Sequence, residues 1–196
     1  HLENIVESIN SINDIDFSIK MRLGMDSAED AKGVLEIINK AKLHHITIHP
    51  RIAKQQYKGE IDYQTFDYIY QNCLHPIIYN GDILSQEDIY NIINIYPKIE
   101  GIMIGRGLLA KPYLAMELNK TIRLSVSERL SMIMKLHDAI YDHYSSVMQG
   151  EHQLLLKMKT FWEYLDEEIG KKPYKAIKKS VNIKKYELAI RLIGSY

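Results

Sequence analysis

Cysteine is almost missing from this chain: Cys73 is the only one among 196 residues. A single thiol excludes an internal disulfide and fits a reducing compartment, so the protein is expected to work in the cytoplasm. No apolar run approaches the roughly 18 residues that cross a membrane, so no membrane partner is expected. The first residues read as part of a helix rather than as a secretory leader. Low-complexity tracts and short-period repeats are lacking too. No motif with metal-ligand spacing occurs, and no metal is expected. The chain opens on His1 rather than methionine, which raises the expectation of a piece of a longer polypeptide.

Net charge is also lacking, with 25 Lys and Arg against 25 Asp and Glu, but the balance hides an asymmetry. Residues 1–124 carry 13 basic and 16 acidic residues, and residues 125–196 carry 12 and 9. The segment Lys171 to Lys185 holds seven lysines and no acid. Such a cluster is a solvated helix face or a contact for a polyanion, because lysines near phosphates gain from counterion release.

The first 110 residues alternate between the two hydrophobic periods. Leu2, Ile5, Val6, Ile9 and Ile12 recur at helical spacing, so residues 1–13 read as a helix. Ile15 to Leu23 reads as a strand. Ser27 then signals a helix start, for a helix running to about Ala41. His45 to His49 is a β-branched strand, and a helix is expected from about Tyr63 to Asn72. Pro76 to Tyr79 is a third strand, Ser85 opens another helix, and Gly101 to Ile104 is the fourth strand. Strands separated by helices every thirty residues or so mark parallel βα units, and their short apolar character suits a sheet buried on both sides. After residue 121 the strand signals stop. Ser125 to Glu128 caps a helix reaching Met148. Leu154–Leu165, Pro173–Val181 and Ile183–Ile193 read as three more. The expectation is an α/β fold of four βα units in residues 1–124, followed by a small all-α bundle in residues 125–196.

In a sheet of parallel βα units, ligands gather at the carboxyl ends of the strands. The four ends here carry Lys20-Met21-Arg22-Leu23-Gly24, His49-Pro50-Arg51, Asn80-Gly81-Asp82 and Gly105-Arg106-Gly107. The last of these joins glycines that let backbone N–H groups approach an oxyanion to an arginine with a planar fork of donors, which suits a phosphate. Arg51, Gln56, Tyr57 and Lys58 belong to a polar loop over the same end and read equally as RNA contacts or as solvated loop.

The order K-x-R-x-G, H-P-R, Q-x-Y-K-G, N-G-D and M-I-G-R-G, spread over residues 15–112, resembles the tRNA-dihydrouridine synthases. The resemblance implies a TIM barrel that binds FMN, of which this chain holds the fifth to eighth strands, and a helical domain that holds tRNA. It implies reduction of uridine to 5,6-dihydrouridine with NAD(P)H as reductant. Lys20 then matches a lysine beside the flavin ring, where a cation offsets negative charge. His49 matches a histidine on the flavin or its phosphate. Asn80, Gly81 and Asp82 match the turn holding the ribityl chain and phosphate, and Gly105 and Arg106 match the phosphate cradle. Lys157, Lys159, Lys171, Lys172, Lys175, Lys178 and Lys179 become candidates for the tRNA backbone.

No catalytic residue is assigned, because the family's proton-donating cysteine follows the fourth strand, ahead of His1. Cys73 sits at the opposite end of its βα unit and reads as a small buried residue. The chain alone is therefore expected to be inactive. A half-barrel also leaves two sheet edges, near Ile15–Met21 and Gly101–Ile104, that invite self-association. Two other readings stay open on sequence: an FMN barrel acting on a small molecule, and a non-catalytic RNA-binding module.

Overall fold

A computed structural model describes residues 1–120 and 122–194; Thr121, Ser195 and Tyr196 lie outside the described residues. The chain forms two compact units, one of His1–Ile83 with Glu87–Gly105, the other of Leu84–Gln86 with Arg106 onward.

The first unit is built of α1 (Leu2–Ser11), β1 (Ser18–Arg22), α2 (Asp30–Ile38), β2 (His45–His49), α3 (Tyr63–Asn72), β3 (Ile77–Tyr79), α4 (Gln86–Ile95) and β4 (Gly101–Ile102). The four strands form one parallel sheet in the order β1-β2-β3-β4. Sequential parallel strands, each joined to the next through a helix, make the partial (β/α)8 barrel the motif order implies.

Register decides what each face carries. Ile19, Ile46 and Ile77 align across the sheet, as do Met21, Ile48, Tyr79 and Ile102. These side chains share one face, where Ile46 and Ile48 are fully buried and Phe66 of α3 meets Tyr79 edge-on at 5.2 Å. Phe66 also packs edge-on against Tyr96 at 4.8 Å, a favoured aromatic geometry. Leu35 and Ile38 of α2, with Ile89 and Ile92 of α4, complete this apolar layer. The opposite face carries Ser18, Lys20 and Arg22 of β1 and His45, Thr47 and His49 of β2.

The strand expected over His45–His49 forms as read, and the other three are shorter than expected. Ser18–Arg22 are the β1 residues that find ladder partners in His45–His49, and β4 is cut to two residues by the three-residue β3 it pairs with. A sheet buried on both sides holds for the interior strand β2 but not for β1, an edge strand on which Ser18 and Lys20 are exposed. The Ser27 hydroxyl accepts from the Glu29 amide in a turn, so α2 starts at Asp30 rather than at the serine.

The second unit contains α5 (Arg106–Ala110), α6 (Leu114–Lys120), α7 (Val126–Val147), α8 (Glu151–Phe161), α9 (Asp166–Ile169), α10 (Lys171–Lys179) and α11 (Ile183–Ile190). A reciprocal capping box opens α7: the Glu128 amide donates to Ser125 Oγ, and the Ser125 amide donates to Glu128 Oε2 at 2.8 Å. The helix expected over Leu154–Leu165 ends instead at Phe161. A 3₁₀ turn, Trp162–Tyr164, follows, and the acidic run Asp166-Glu167-Glu168 suits a new helix start at α9.

Around fully buried Trp162 pack Ile133, Met158, Ile177 and Tyr186. Trp162 Nε1 can only donate, and it does so to Tyr186 Oη at 2.8 Å. That phenol proton is then free to point at His137 Nε2, also 2.8 Å away, which leaves the Nδ1 proton of His137 for Asp138 at 2.8 Å. Burial holds the His137 imidazole below its ordinary value of 6.5, against the smaller upward pulls of Asp138 and Asp142. The folded unit therefore resists a proton that the unfolded chain accepts. Its stability should be complete above pH 6.5 and fall as pH drops below that value. Trp162, the one tryptophan, reports directly: the urea midpoint followed by its emission should drop between pH 7 and pH 5, and His137→Asn should flatten that slope.

Candidate functional site

Four strand ends in the first unit bring polar groups to one rim. Arg22 and His49 are register partners on adjacent strands, with Lys20 two residues behind Arg22 on the same face. Beyond β2 the chain turns sharply, the Arg51 amide donating to the His49 carbonyl and the Leu23 amide to the Arg51 carbonyl. The guanidinium of Arg22 donates to the Ile52 carbonyl at 3.0 Å and lies 5.5 Å from the centre of the Tyr57 ring. The His49 ring lies 6.5 Å from that same ring. The rim of β1 and β2 is thus a basic surface walled by the Tyr57 loop.

Asn80 extends β3, its amide donating to the Ile48 carbonyl, while its side-chain Nδ2 donates to the Met103 carbonyl at 2.8 Å. That bond ties the β3 rim to the segment after β4. A Cβ on Gly81 would lie 2.9 Å from Ile61 Cδ1 and 3.1 Å from the Tyr79 hydroxyl, so a larger residue there would have to push these two side-chain ends aside. Asp82 takes a positive φ of 40° and gives both carboxylate oxygens to Arg51, at 2.8 and 2.5 Å. A Cβ on Gly105 would meet nothing within 4 Å among the described residues, which leaves its backbone approachable. Arg106 begins α5 in the second unit, the next residue along the chain.

Electrostatics set this rim apart. His49 is 5% exposed, and its imidazole is pushed down to about 4, first by burial and then by the positive charges of Arg22, Lys20 and Arg51, with Asp82 pulling weakly the other way. Burial and then Arg22 lower the Lys20 ammonium as well. Among the described residues no carboxylate pairs with Lys20 or Arg22, whereas the Asp82 carboxylate is engaged by Arg51. Like charges held together in a partly desolvated site favour an arriving anion.

The structure gathers Lys20, His49, Asn80, Gly81, Asp82 and Gly105 at the strand ends of one unit. Arg51 corrects the sequence expectation: it does not stand on an open loop with Gln56, Tyr57 and Lys58, but is 3% exposed. Its partners, Gly59 and Asp82, lie 8 and 31 residues away, and H-P-R directly after a strand is the only local sign of its role. Cys73 caps the far end of α3, where it is half-buried rather than fully buried. Its thiol donates to the His75 carbonyl at 3.6 Å, and burial pushes it above the usual thiol range, which favours the protonated thiol over the thiolate. No three metal-ligating side chains gather anywhere among the described residues.

In the helical unit, Lys159 is likewise reassigned. Its ammonium donates to the carbonyls of Lys178 and Ser180 at 3.0 and 2.5 Å, so two of its three donors close the carboxyl end of α10. Lys157 lies over the Tyr144 ring at 5.2 Å, while Lys171, Lys175 and Lys179 are exposed.

The depressed His49 value gives a direct check. Its imidazole signals should stay those of the neutral ring down to about pH 4. Arg22→Ala should move that titration upward, because one of the three repelling charges is gone. A His49 that titrates at the ordinary value with Arg22 in place would remove the cationic cluster.

Comparison with known proteins agrees with this architecture. The dihydrouridine synthase family model matches residues 1–192. The tRNA-dihydrouridine synthase B of Shewanella oneidensis is 27% identical over 177 residues, which cover 85% of this chain and 53% of the relative. A probable tRNA-dihydrouridine synthase of Rickettsia conorii is 27% identical over 135 residues, covering 65% and 40%. A human protein, tRNA-dihydrouridine(47) synthase (NAD(P)(+))-like, is 30% identical over 152 residues, covering 76% and 23%. The chain therefore spans about half or less of the length of these curated relatives. With nearly its whole length matched, and with the strand-end motifs on one basic rim, the chain belongs to the dihydrouridine synthase family.

Proposed function

We propose that this chain is the carboxyl-terminal part of an FMN-dependent oxidoreductase that reduces uridine in tRNA to 5,6-dihydrouridine with NAD(P)H. The observation that carries the reading is the uncompensated basic face of β1 and β2, where Lys20 and Arg22 stand beside neutral His49. Such a donor set fits FMN, a planar group with an electron-poor ring and an anionic phosphate. Bound there, FMN supplies the two-electron chemistry that carries hydride from the nicotinamide to the pyrimidine.

This chain's residues bind and orient. Lys20 presents a cation to the ring system, and His49 offers a neutral ring nitrogen. Asn80 has its Nδ2 on the Met103 carbonyl, which leaves its Oδ1 for a ribityl hydroxyl. Gly81 keeps the turn after β3 tight, and Asp82 acts through Arg51. Gly105 and Arg106 serve the phosphate, by the motif they form. Residues 1–124 then make the flavin-binding half of the barrel. Residues 125–196 hold the tRNA body through exposed lysines of α10, as contacts to phosphates and shape require. A base inside folded RNA must leave its stack to reach the flavin. The cytoplasm follows as the place of action, and among the described residues no helix is long and apolar enough to cross a membrane. The free edge of β1 is where further strands would pair, from the rest of the barrel or from a second copy.

Titration with FMN should quench flavin fluorescence, and Lys20→Met should weaken binding by about tenfold, the loss expected for one charge-assisted contact. Flavin emission unaffected by the protein would sink the reading. A polypeptide limited to these 196 residues should form no dihydrouridine on unmodified tRNA with FMN and NAD(P)H, since Cys73 lies at the carboxyl end of α3, away from the strand ends. Lys175→Glu with Lys179→Glu should weaken tRNA binding and flatten its salt dependence; unchanged binding would return α10 to a solvated face.

A further inference from the structure

Arg51 is the most buried cation on the rim, and all three of its guanidinium nitrogens donate to two loops. Nε and Nη2 donate to the Gly59 carbonyl at 3.3 and 2.7 Å, and Nη1 and Nη2 donate to the Asp82 carboxylate at 2.8 and 2.5 Å. One guanidinium thus joins the end of β2, the loop that follows it and the turn after β3. A lysine could not do the same, since its ammonium lacks the planar fork that reaches a carbonyl and a carboxylate at once.

Both tethered segments hold unusual backbone. Gln56 has φ 52° and Gly59 φ 80° in the loop, and Asp82 has φ 40° in the turn. Positive φ at a non-glycine residue persists where surrounding contacts over-determine it. Between Gln56 and Gly59 stands Tyr57, 60% exposed, whose ring rests against Arg22 and His49 rather than in any core. Within the loop the Ile52 amide donates to Gln55 Oε1, the Gln56 amide to the Ala53 carbonyl and the Lys58 amide to the Gln55 carbonyl. Just ahead of it, the Ala53 and Lys54 amides donate to the Gly24 and Met25 carbonyls.

We propose that Arg51 is a positioning residue for the substrate nucleotide: paired with Asp82, it clamps the Gln55–Gly59 loop at the height that sets the gap between Tyr57 and the basic strand face. It touches neither flavin nor base. Its effect is on how well the gap is formed before tRNA arrives, so its loss raises the tRNA concentration needed rather than slowing the chemical step. This rests on the proposed reading of that face as the site of flavin and uridine.

The test uses the complete, FMN-loaded synthase carrying Arg51→Met, Arg51→Lys or Asp82→Asn. Each should speed tryptic cleavage after Lys54 and Lys58 several-fold. Each should raise KM for unmodified tRNA by about tenfold, the scale on which misplaced binding walls act, with smaller changes in kcat and FMN affinity. The double variant Arg51→Met/Asp82→Asn should be no worse than Arg51→Met, because the two residues act as one clamp. Arg51→Lys should not rescue. Cleavage unchanged, cleavage faster with KM unmoved, additive single effects, or kcat falling together with FMN affinity would each overturn the proposal. Should Arg51→Met fail to fold, Asp82→Asn reads the same clamp from a side chain already 40% exposed. Failure of the functional reading itself is separate, since the unsubstituted protein would then neither bind FMN nor make dihydrouridine.

Discussion

In-register parallel pairing of β1 with β2 places every basic side chain of these strands on the face that carries no apolar layer. Period-two alternation then puts Ile19 and Met21 toward the helices and Lys20 and Arg22 away from them. A slip of one residue would drive two cations into the layer around Phe66 and Tyr79 and expose isoleucine in their place. The apolar layer therefore fixes the chemistry of the opposite face, although no residue of that layer touches it. Burial of Ile46, Ile48 and Tyr79 keeps Lys20, Arg22 and His49 close despite their mutual repulsion.

Two polar clusters, one in each unit, are built in opposite ways. In the helical unit, Trp162, Tyr186, His137 and Asp138 form a chain in which each donor has an acceptor, and the result is a uniquely specified core. On the barrel rim the positive charges outnumber their acceptors. Arg51 has its carboxylate, whereas Lys20 and Arg22 have none among the described residues. Stability favours the first arrangement. A site that lacks its counter-charge is destabilised, and it persists because the sheet beneath it is well packed.

Local chemistry was readable in the sequence wherever the partner is near in the chain. The Ser125–Glu128 capping box spans three residues, and α3 begins after Asp62, whose side chain accepts from the Thr65 amide. The βα rhythm rests on periodicities only a few residues long. The structural roles of Arg51 and Lys159 are not legible locally because their partners are remote: Asp82 is 31 residues from Arg51, and the carbonyls closing α10 are 19 and 21 residues from Lys159. Composition cannot tell a lysine aimed at helix carbonyls from one aimed at RNA. The break after Phe161 was likewise hidden, since Trp162 and Leu165 continue the apolar spacing through the 3₁₀ turn, and both are buried.

Repulsion on the rim also constrains what can bind there. Burial and neighbouring cations lower both Lys20 and His49, so any ligand that relieves this repulsion must raise their proton affinity in return. A neutral or cationic ligand would gain nothing from that exchange. A multivalent metal would add a further positive charge to a face with no free carboxylate cluster. An anion gains on both counts, through direct attraction and through protons held more firmly. Among the described residues Lys20 and Arg22 have no carboxylate partner to lose, whereas the charge of Arg51 is already matched by Asp82. The face therefore selects for negative charge near β1 and for shape near the Tyr57 loop, and one sheet register places both on the same rim.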